Sequence, residues 1–260
     1  MPTHAKAARS MTIVLPAYNE AQRLGPALDD LFAYLDAPPV EGVHPRIDVL
    51  VVDDGSTDGT ADLVRSRPEA ARPRGADLAR LALLPVAHGG KGSAVKAGML
   101  NAEGDLVVFA DADMATPPEE LPKLVAALES ADVALGSRIQ PDGSDMRATQ
   151  PRYRRFLGGV FHTLASLWVV GDVRDTQCGF KGFTHEAARD LFARQRITSI
   201  VFDVEIIHLA RRRGYRVSVV PIRWRDVRGS RMRPGARLAL KVAWDLFRIP
   251  LLHRGVPRRR

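Results

Sequence analysis

Asp111 and Asp113, with Ala112 between them, follow the apolar run Leu106-Val107-Val108-Phe109. Two carboxylates one residue apart, just past a buried strand, can both approach one hard cation. Magnesium or manganese takes such oxygen ligands, and an ion there can bridge a diphosphate and neutralise its charge as it leaves. A turn with two solvated aspartates has the same short pattern, so the neighbouring segments have to decide.

Asp53-Asp54-Gly55-Ser56-Thr57-Asp58-Gly59-Thr60 follows a second apolar run, Val49-Leu50-Val51-Val52. Its glycines permit a tight turn and Asp58 suits a helix cap. Capping leaves Asp53 and Asp54 unexplained, and paired carboxylates at a strand end can accept hydrogen bonds from a base or ribose. Gly89-Gly90-Lys91-Gly92-Ser93 has the composition of a phosphate loop but not the Walker A spacing. That disfavours an ordinary NTPase, while Lys91 at a helix start can still hold a phosphate. A glycine-rich connection with a solvated lysine is the plainer alternative.

These segments need strands to position them. Thr12 to Leu15 reads as a strand stopped by Pro16, followed by helical spacing of Leu24, Leu28, Leu31, Phe32 and Leu35. Further strands are expected at 49–52, 80–84, 106–109 and 133–135, with helices over 58–65, around 95–100 and after Pro117-Pro118. Strands of little alternation separated by helices predict a mostly parallel α/β sheet flanked by helices on both faces. In such sheets ligands bind beyond the carboxyl ends of the strands. Tyr18-Asn19-Glu20, Asp53 to Ser56, His88 to Gly92 and Asp111 to Asp113 should therefore share one crevice.

The second half predicts an apolar helix over 156–170, a strand over 179–183, a helix over 204–210 and one or two strands over 217–225. A basic turn over 228–234 precedes a last helix, with Ala239, Val242, Ala243, Leu246 and Ile249 on one face and Arg237, Lys241 and Arg248 opposite. We expect a catalytic domain over 1–227 and a basic, amphipathic helical extension over 228–260.

The chain has 260 residues, 45% of them hydrophobic and 26% charged, with a formal charge of +8 and a pI of about 10.1. This suits one sizeable core and an anionic partner. After Ile206 only Asp226 and Asp245 oppose many arginines. A nucleic-acid binder is disfavoured, because carboxylates after successive strands would repel a phosphate backbone. The one cysteine, Cys178, reads as a small buried residue. No signal peptide is recognised at Met1 to Ser10, and no window reaches the ~18 apolar residues of a spanning helix.

In order, Ile13-Val14-Leu15-Pro16-Ala17-Tyr18-Asn19-Glu20, Val51 to Thr60, Gly90-Lys91-Gly92, Asp111-Ala112-Asp113 and Gly136-Ser137-Arg138 resemble the family-2 nucleotide-diphospho-sugar glycosyltransferases of the type A, Rossmann-like fold. Arg155 to His162, Asp175-Thr176-Gln177-Cys178-Gly179-Phe180-Lys181-Gly182-Phe183 and Phe202-Asp203-Val204-Glu205 are similar to the branch that transfers glucose from UDP-glucose to a polyprenyl (dolichyl-type) phosphate. The resemblance implies Pro16, Tyr18, Glu20, Asp53, Asp54, Lys91 and Asp111 at the nucleotide, and Asp111 and Asp113 at Mg2+ or Mn2+. It also implies Arg138 at the acceptor phosphate or the donor diphosphate and Asp203 near the acceptor, so Asp113, Arg138 and Asp203 are the expected catalytic residues. Apart from the resemblance, guanidinium suits phosphate geometry, so Arg138, Arg152, Arg154 and Arg155 can meet the acceptor phosphate. Ala115 departs from related polyprenyl enzymes, which often carry an amide there, and eukaryotic relatives carry a membrane anchor that is not recognised here.

A phosphate acceptor is largely a dianion near neutrality and needs no general base, so Asp203 is free to orient groups; a helix N-terminal aspartate is the plainer reading. The basic residues suit a lipid phosphate at an anionic surface, and we expect a peripheral enzyme at the cytoplasmic face of a membrane. The alternatives are a GDP-mannose-dependent mannosyltransferase, a family-2 enzyme acting on a sugar hydroxyl, and a sugar-1-phosphate nucleotidyltransferase. The last normally carries a basic, glycine-rich signature where this chain has Pro16 to Glu20.

Overall fold

The computed structural model describes residues 9–37, 43–74, 78–146, 173–225 and 236–259, with the backbone alone at 43–45 and 236–239. Strands β1 (Arg9–Ala17), β2 (Val43–Asp53), β3 (Arg80–Pro85), β4 (Leu106–Ala110), β5 (Val133–Ser137), β6 (Phe180–Thr184) and β7 (Val217–Pro221) form one sheet in the order β3-β2-β1-β4-β6-β5-β7. Only β6 runs antiparallel to its neighbours β4 and β5. The helices are α1 (Ala21–Leu35), α2 (Thr60–Ser66), α3 (Lys91–Asn101), α4 (Leu121–Ala127), α5 (His185–Arg194), α6 (Phe202–Arg213) and α7 (Ala236–His253).

Alternate strand residues serve two cores, as the period of a strand requires. Ile13, Leu15, Val49, Val51 and Val108 pack with Leu24, Leu28 and Leu31 of α1 and Leu124 of α4. Val14, Val52, Val107 and Phe109 pack on the other face with Val95 of α3, Leu191 of α5, Val204 of α6 and Ile249 of α7. A sheet covered on both faces is the architecture that the uniformly apolar runs predict. It is also why all five residues of β4 are buried.

The register brings the functional segments together. Ala17 pairs with Asp53, Asp53 with Pro85, and Val14 with Phe109. Parallel strands thus end at one edge of the sheet, where Phe180 at the start of β6 pairs with Ala110 at the end of β4. Gly179 consequently reaches the same edge as Asp111.

Two sequence expectations need correction. Pro16 does not stop β1, which continues to Ala17. Pairing with β4 ends at Val14 while pairing with β2 goes on, so a residue without an N–H is carried where one neighbour has already parted. On α7, Leu246 and Ile249 are buried but Ala243 is exposed, and a second apolar set faces outward. The predicted helix over 156–170, the basic turn over 228–234, and Arg152, Arg154 and Arg155 lie outside the described residues.

Candidate active site

The turn after β1 is tied to the turn after β2. Asn19 N–H donates to Ser56 Oγ at 2.8 Å, and Asn19 Oδ1 accepts from Thr57 N–H at 2.8 Å. Asn19 has a left-handed φ of 54°, a conformation asparagine tolerates better than most residues. Glu20 N–H donates to Thr60 Oγ1 at 2.9 Å. Asp58 accepts from Thr60 and Ala21 N–H groups, so it ties the start of α2 to the start of α1.

The adjacent carboxylates divide their work. Asp53 is 4% exposed and accepts from Ser56 N–H at 3.1 Å. Asp54, expected at the nucleotide, is 2% exposed, and its two oxygens accept from Gly89 N–H at 2.8 Å and Gly90 N–H at 2.9 Å. It is spent on holding the glycine loop. His88 Nδ1 lies 2.9 Å from Asp54 Oδ2, and its ring stacks on Tyr18 with centroids 4.2 Å apart. Tyr18 remains an exposed aromatic surface beside half-buried Pro16.

Lys91 opens α3, and its Nζ lies 2.7 Å from Asp111 Oδ1. Burial pulls the lysine's pKa down, but Asp111 and Asp203 outweigh it and hold the ammonium above its ordinary range. The glycines around Lys91 allow close packing: a Cβ on Gly92 would meet Thr198 O at 2.8 Å, and Gly92 N–H donates to that oxygen at 3.0 Å.

Asp111 N–H donates to Gly179 O at 3.0 Å, and a Cβ on Gly179 would overlap the Asp111 carboxylate. Only a glycine allows that approach. Asp113 Oδ1 accepts from Ala115 N–H at 3.2 Å, and Met114 between them has a positive φ of 45°. Burial, then the charge of Asp111, raises the Asp113 pKa. An anionic pair crowded this way fits a hard divalent ion, and its donor set is carboxylate oxygen. Among the described residues no group of three or more His, Cys, Asp or Glu could hold a metal.

Four residues join the site without a role expected of them, although Asp175 and Lys181 lay in a segment already noted. Arg23 grips Glu20 and lies 3.7 Å from Asp113 Oδ2, so Glu20 is bound to an arginine that also faces the aspartate pair. Its position three residues after Glu20, in the first turn of α1, was the available signal. His88 was part of a predicted segment but had no role of its own. Lys181, 1% exposed, donates to Asp203 Oδ1 at 2.6 Å and to Cys178 O at 2.5 Å. Asp175 receives the guanidinium of Arg138 through Nε at 2.8 Å and Nη2 at 2.6 Å.

Asp203 is therefore an enclosed residue, 3% exposed, with its pKa raised by burial against the pull of Lys181 and Lys91. Arg138 is largely buried beside Asp175, which keeps it charged, and its guanidinium lies 5.6 Å from the centroid of the Trp224 ring. Cys178 is buried, and burial pushes its thiol up to about 12. That is the behaviour of a packing residue.

This arrangement has counterparts. The family model described as glycosyl transferase family 2 matches residues 12–192. A Trichomonas vaginalis protein named dolichyl-phosphate beta-glucosyltransferase ALG5C is 38% identical over 253 residues, 94% of this chain and 71% of that protein. The Drosophila melanogaster dolichyl-phosphate beta-glucosyltransferase is 37% identical over 246 residues, 92% of this chain and 74% of that protein. Among solved structures, glucosyl-3-phosphoglycerate synthase from Mycobacterium tuberculosis with Mn2+, UDP-glucose and phosphoglyceric acid superposes with a TM-score of 0.62. It is 21% identical, and the match covers 97% of this chain and 82% of that one. The matched family segment contains all the cleft turns from Pro16 to Lys181 and covers well over half of the molecule, so the chain belongs to glycosyl transferase family 2.

Proposed function

We propose that the protein transfers glucose from UDP-glucose, with inversion, to a polyprenyl (dolichyl-type) phosphate, working peripherally at the cytoplasmic face of a membrane. The observation that carries the acceptor is the similarity to dolichyl-phosphate glucosyltransferases along nearly the whole chain. The geometry supports the donor half of the reading: Tyr18 follows β1 and stacks on His88, Lys91 opens α3 after β3, and Asp111 and Asp113 follow β4, with Lys91 Nζ 2.7 Å from Asp111 Oδ1.

Tyr18 offers a face on which a base can stack, while Pro16, Asp53 and the Glu20–Arg23 pair border the nucleotide. Asp111 and Asp113 would hold Mg2+ or Mn2+, which supplies neutralisation of diphosphate charge. Mn2+ and UDP-glucose occur together in the structurally similar synthase. Lys91, held as an ammonium by Asp111 and Asp203, adds a second cation beside Asp111 and would stabilise the diphosphate as it departs.

Inversion requires one displacement at the anomeric carbon, with the acceptor oxygen attacking opposite the leaving diphosphate. A phosphate monoester is already largely deprotonated near neutrality, so no residue has to remove its proton. Enclosed Asp203 fits that chemistry as a positioning residue, acting through Lys181 and Lys91. Arg152 and Arg155, with Arg138, whose Nε–Nη2 edge is already closed on Asp175, would receive the acceptor phosphate, which suits guanidinium. Incubation with UDP-glucose, Mn2+ and a polyprenyl phosphate tests the reading; it requires a glucosylated lipid and stoichiometric UDP.

A further inference from the structure

Helix α7 has two apolar faces. Leu246 and Ile249 belong to the core beside α6. On the opposite side, at spacings of four, three and four residues, lie Leu240, Trp244, Phe247 and Leu251, which are 73%, 60%, 49% and 47% exposed. The Trp244 and Phe247 rings stack with centroids 6.1 Å apart. Such spacing places all four on one stripe, and a contiguous outward apolar stripe marks an interaction surface.

The surroundings of the stripe indicate its partner. Lys241 and Arg248 follow the stripe's residues by one position along the helix and therefore flank it. Residues 236–260 hold seven Lys or Arg and a single acid, Asp245. A second copy of this face would bring two basic rims together. An anionic bilayer instead takes the apolar residues below its headgroups and the basic ones at their level, and Trp and Phe suit that boundary.

The helix is also anchored to the cleft. Ser199 Oγ donates to Asp245 Oδ2 at 2.7 Å, and His253 Nε2 lies 2.6 Å from Glu205 Oε1. Glu205 in turn accepts from the Arg196 and Ile197 N–H groups at 2.8 Å. The same loop presents Thr198 O to Gly92 N–H, beside Lys91.

We propose that the Leu240, Trp244, Phe247 and Leu251 face is a docking surface for an anionic lipid bilayer, and that docking fixes the donor cleft relative to the lipid surface. This rests on the lipid-phosphate reading of the acceptor and extends it to how the enzyme meets that acceptor.

Vesicle flotation of the full chain tests it, using phosphatidylcholine with phosphatidylglycerol in equal parts and phosphatidylcholine alone. The native protein should float with the anionic vesicles, less so at high salt. Leu240→Ser, Trp244→Ser, Phe247→Ser and Leu251→Ser together should lower its partition at least about tenfold. Circular dichroism, and turnover on a detergent-dispersed short-chain polyprenyl phosphate, should be unchanged in that variant. Equal flotation of the two proteins overturns the proposal. So does a dimer in analytical ultracentrifugation that the four substitutions dissolve, which would assign the face to a second copy. Flotation that depends on the four residues supports the surface even if no lipid phosphate is glucosylated, so the two readings fail separately.

Discussion

Lys91 Nζ stands 2.7 Å from Asp111 Oδ1, joining the start of α3 to the end of β4 in one charged surface. Asp111 and Asp203 together keep that lysine an ammonium although it is partly desolvated. Lys91→Met removes the cation that meets the departing diphosphate. Its kcat/KM should fall by about a hundredfold, the size of one lost charge-stabilising contact in a site of this kind. Steady-state kinetics on the purified variant checks this, and a change below about threefold would take Lys91 out of the cleft's chemistry.

Asp113→Asn separates the ion from the fold. Burial and the neighbouring Asp111 hold the Asp113 pKa above its ordinary value, so the folded state binds more protons there than the unfolded chain. Its contribution to stability therefore falls as pH rises from the ordinary carboxylate range through the raised folded value. In chelator, Asp113→Asn should melt no lower than the native protein at neutral pH. Added Mn2+ should raise the melting temperature of the native protein and leave the variant nearly unmoved, a difference that thermal denaturation reads without any substrate.

Gly179 faces the Asp111 carboxylate so closely that any Cβ would overlap it. Gly179→Ala should displace Asp111 and reduce turnover by about a hundredfold or more, since small misplacements of reacting groups are costly. Gly255→Ala meets open space and serves as the control, with activity retained.

Lys181 and Asp203 form a buried ion pair at 2.6 Å, with side chains 2% and 4% exposed. Removing one partner strands a charge, so Lys181→Met should destabilise by about 3–5 kcal/mol in urea denaturation. Adding Asp203→Asn to that variant should restore part of the loss. Additive losses in the double-mutant cycle would contradict the coupling.

Tyr18 stacks on His88 and leaves its outer surface open. Tyr18→Ala should weaken UDP binding in calorimetry by about tenfold, the lower end of what an aromatic contributes under a base, while kcat changes little.

The legible part of this molecule was the part written in periodicity. Val49 to Val52 and Leu106 to Phe109 are apolar without alternation because both sides of the sheet are covered, and that pattern led directly to a cleft at the strand ends. Partner choice was not legible. Asp53 and Asp54 are adjacent and identical, yet Asp54 is committed to the Gly89 and Gly90 N–H groups, which lie more than thirty residues away. The pairings of Lys181 with Asp203 and Arg138 with Asp175 likewise depend on β6 folding back antiparallel beside β4 and β5. Nothing local to those residues announces that arrangement. On α7 the sequence showed one apolar face, and the exposed stripe became visible only once the core had claimed Leu246 and Ile249.

Transfer of glucose from UDP-glucose to a lipid phosphate is the reaction on which the other roles depend. Its most direct test is mass spectrometry of the products when the full chain and Mn2+ are offered UDP-glucose and GDP-mannose, each with a polyprenyl phosphate and with a free sugar. A β-linked glucosyl polyprenyl phosphate should form from UDP-glucose, with released UDP, and no product should form from the other pairings. A mannosyl lipid, or a glucosylated free sugar with the lipid phosphate untouched, would contradict it.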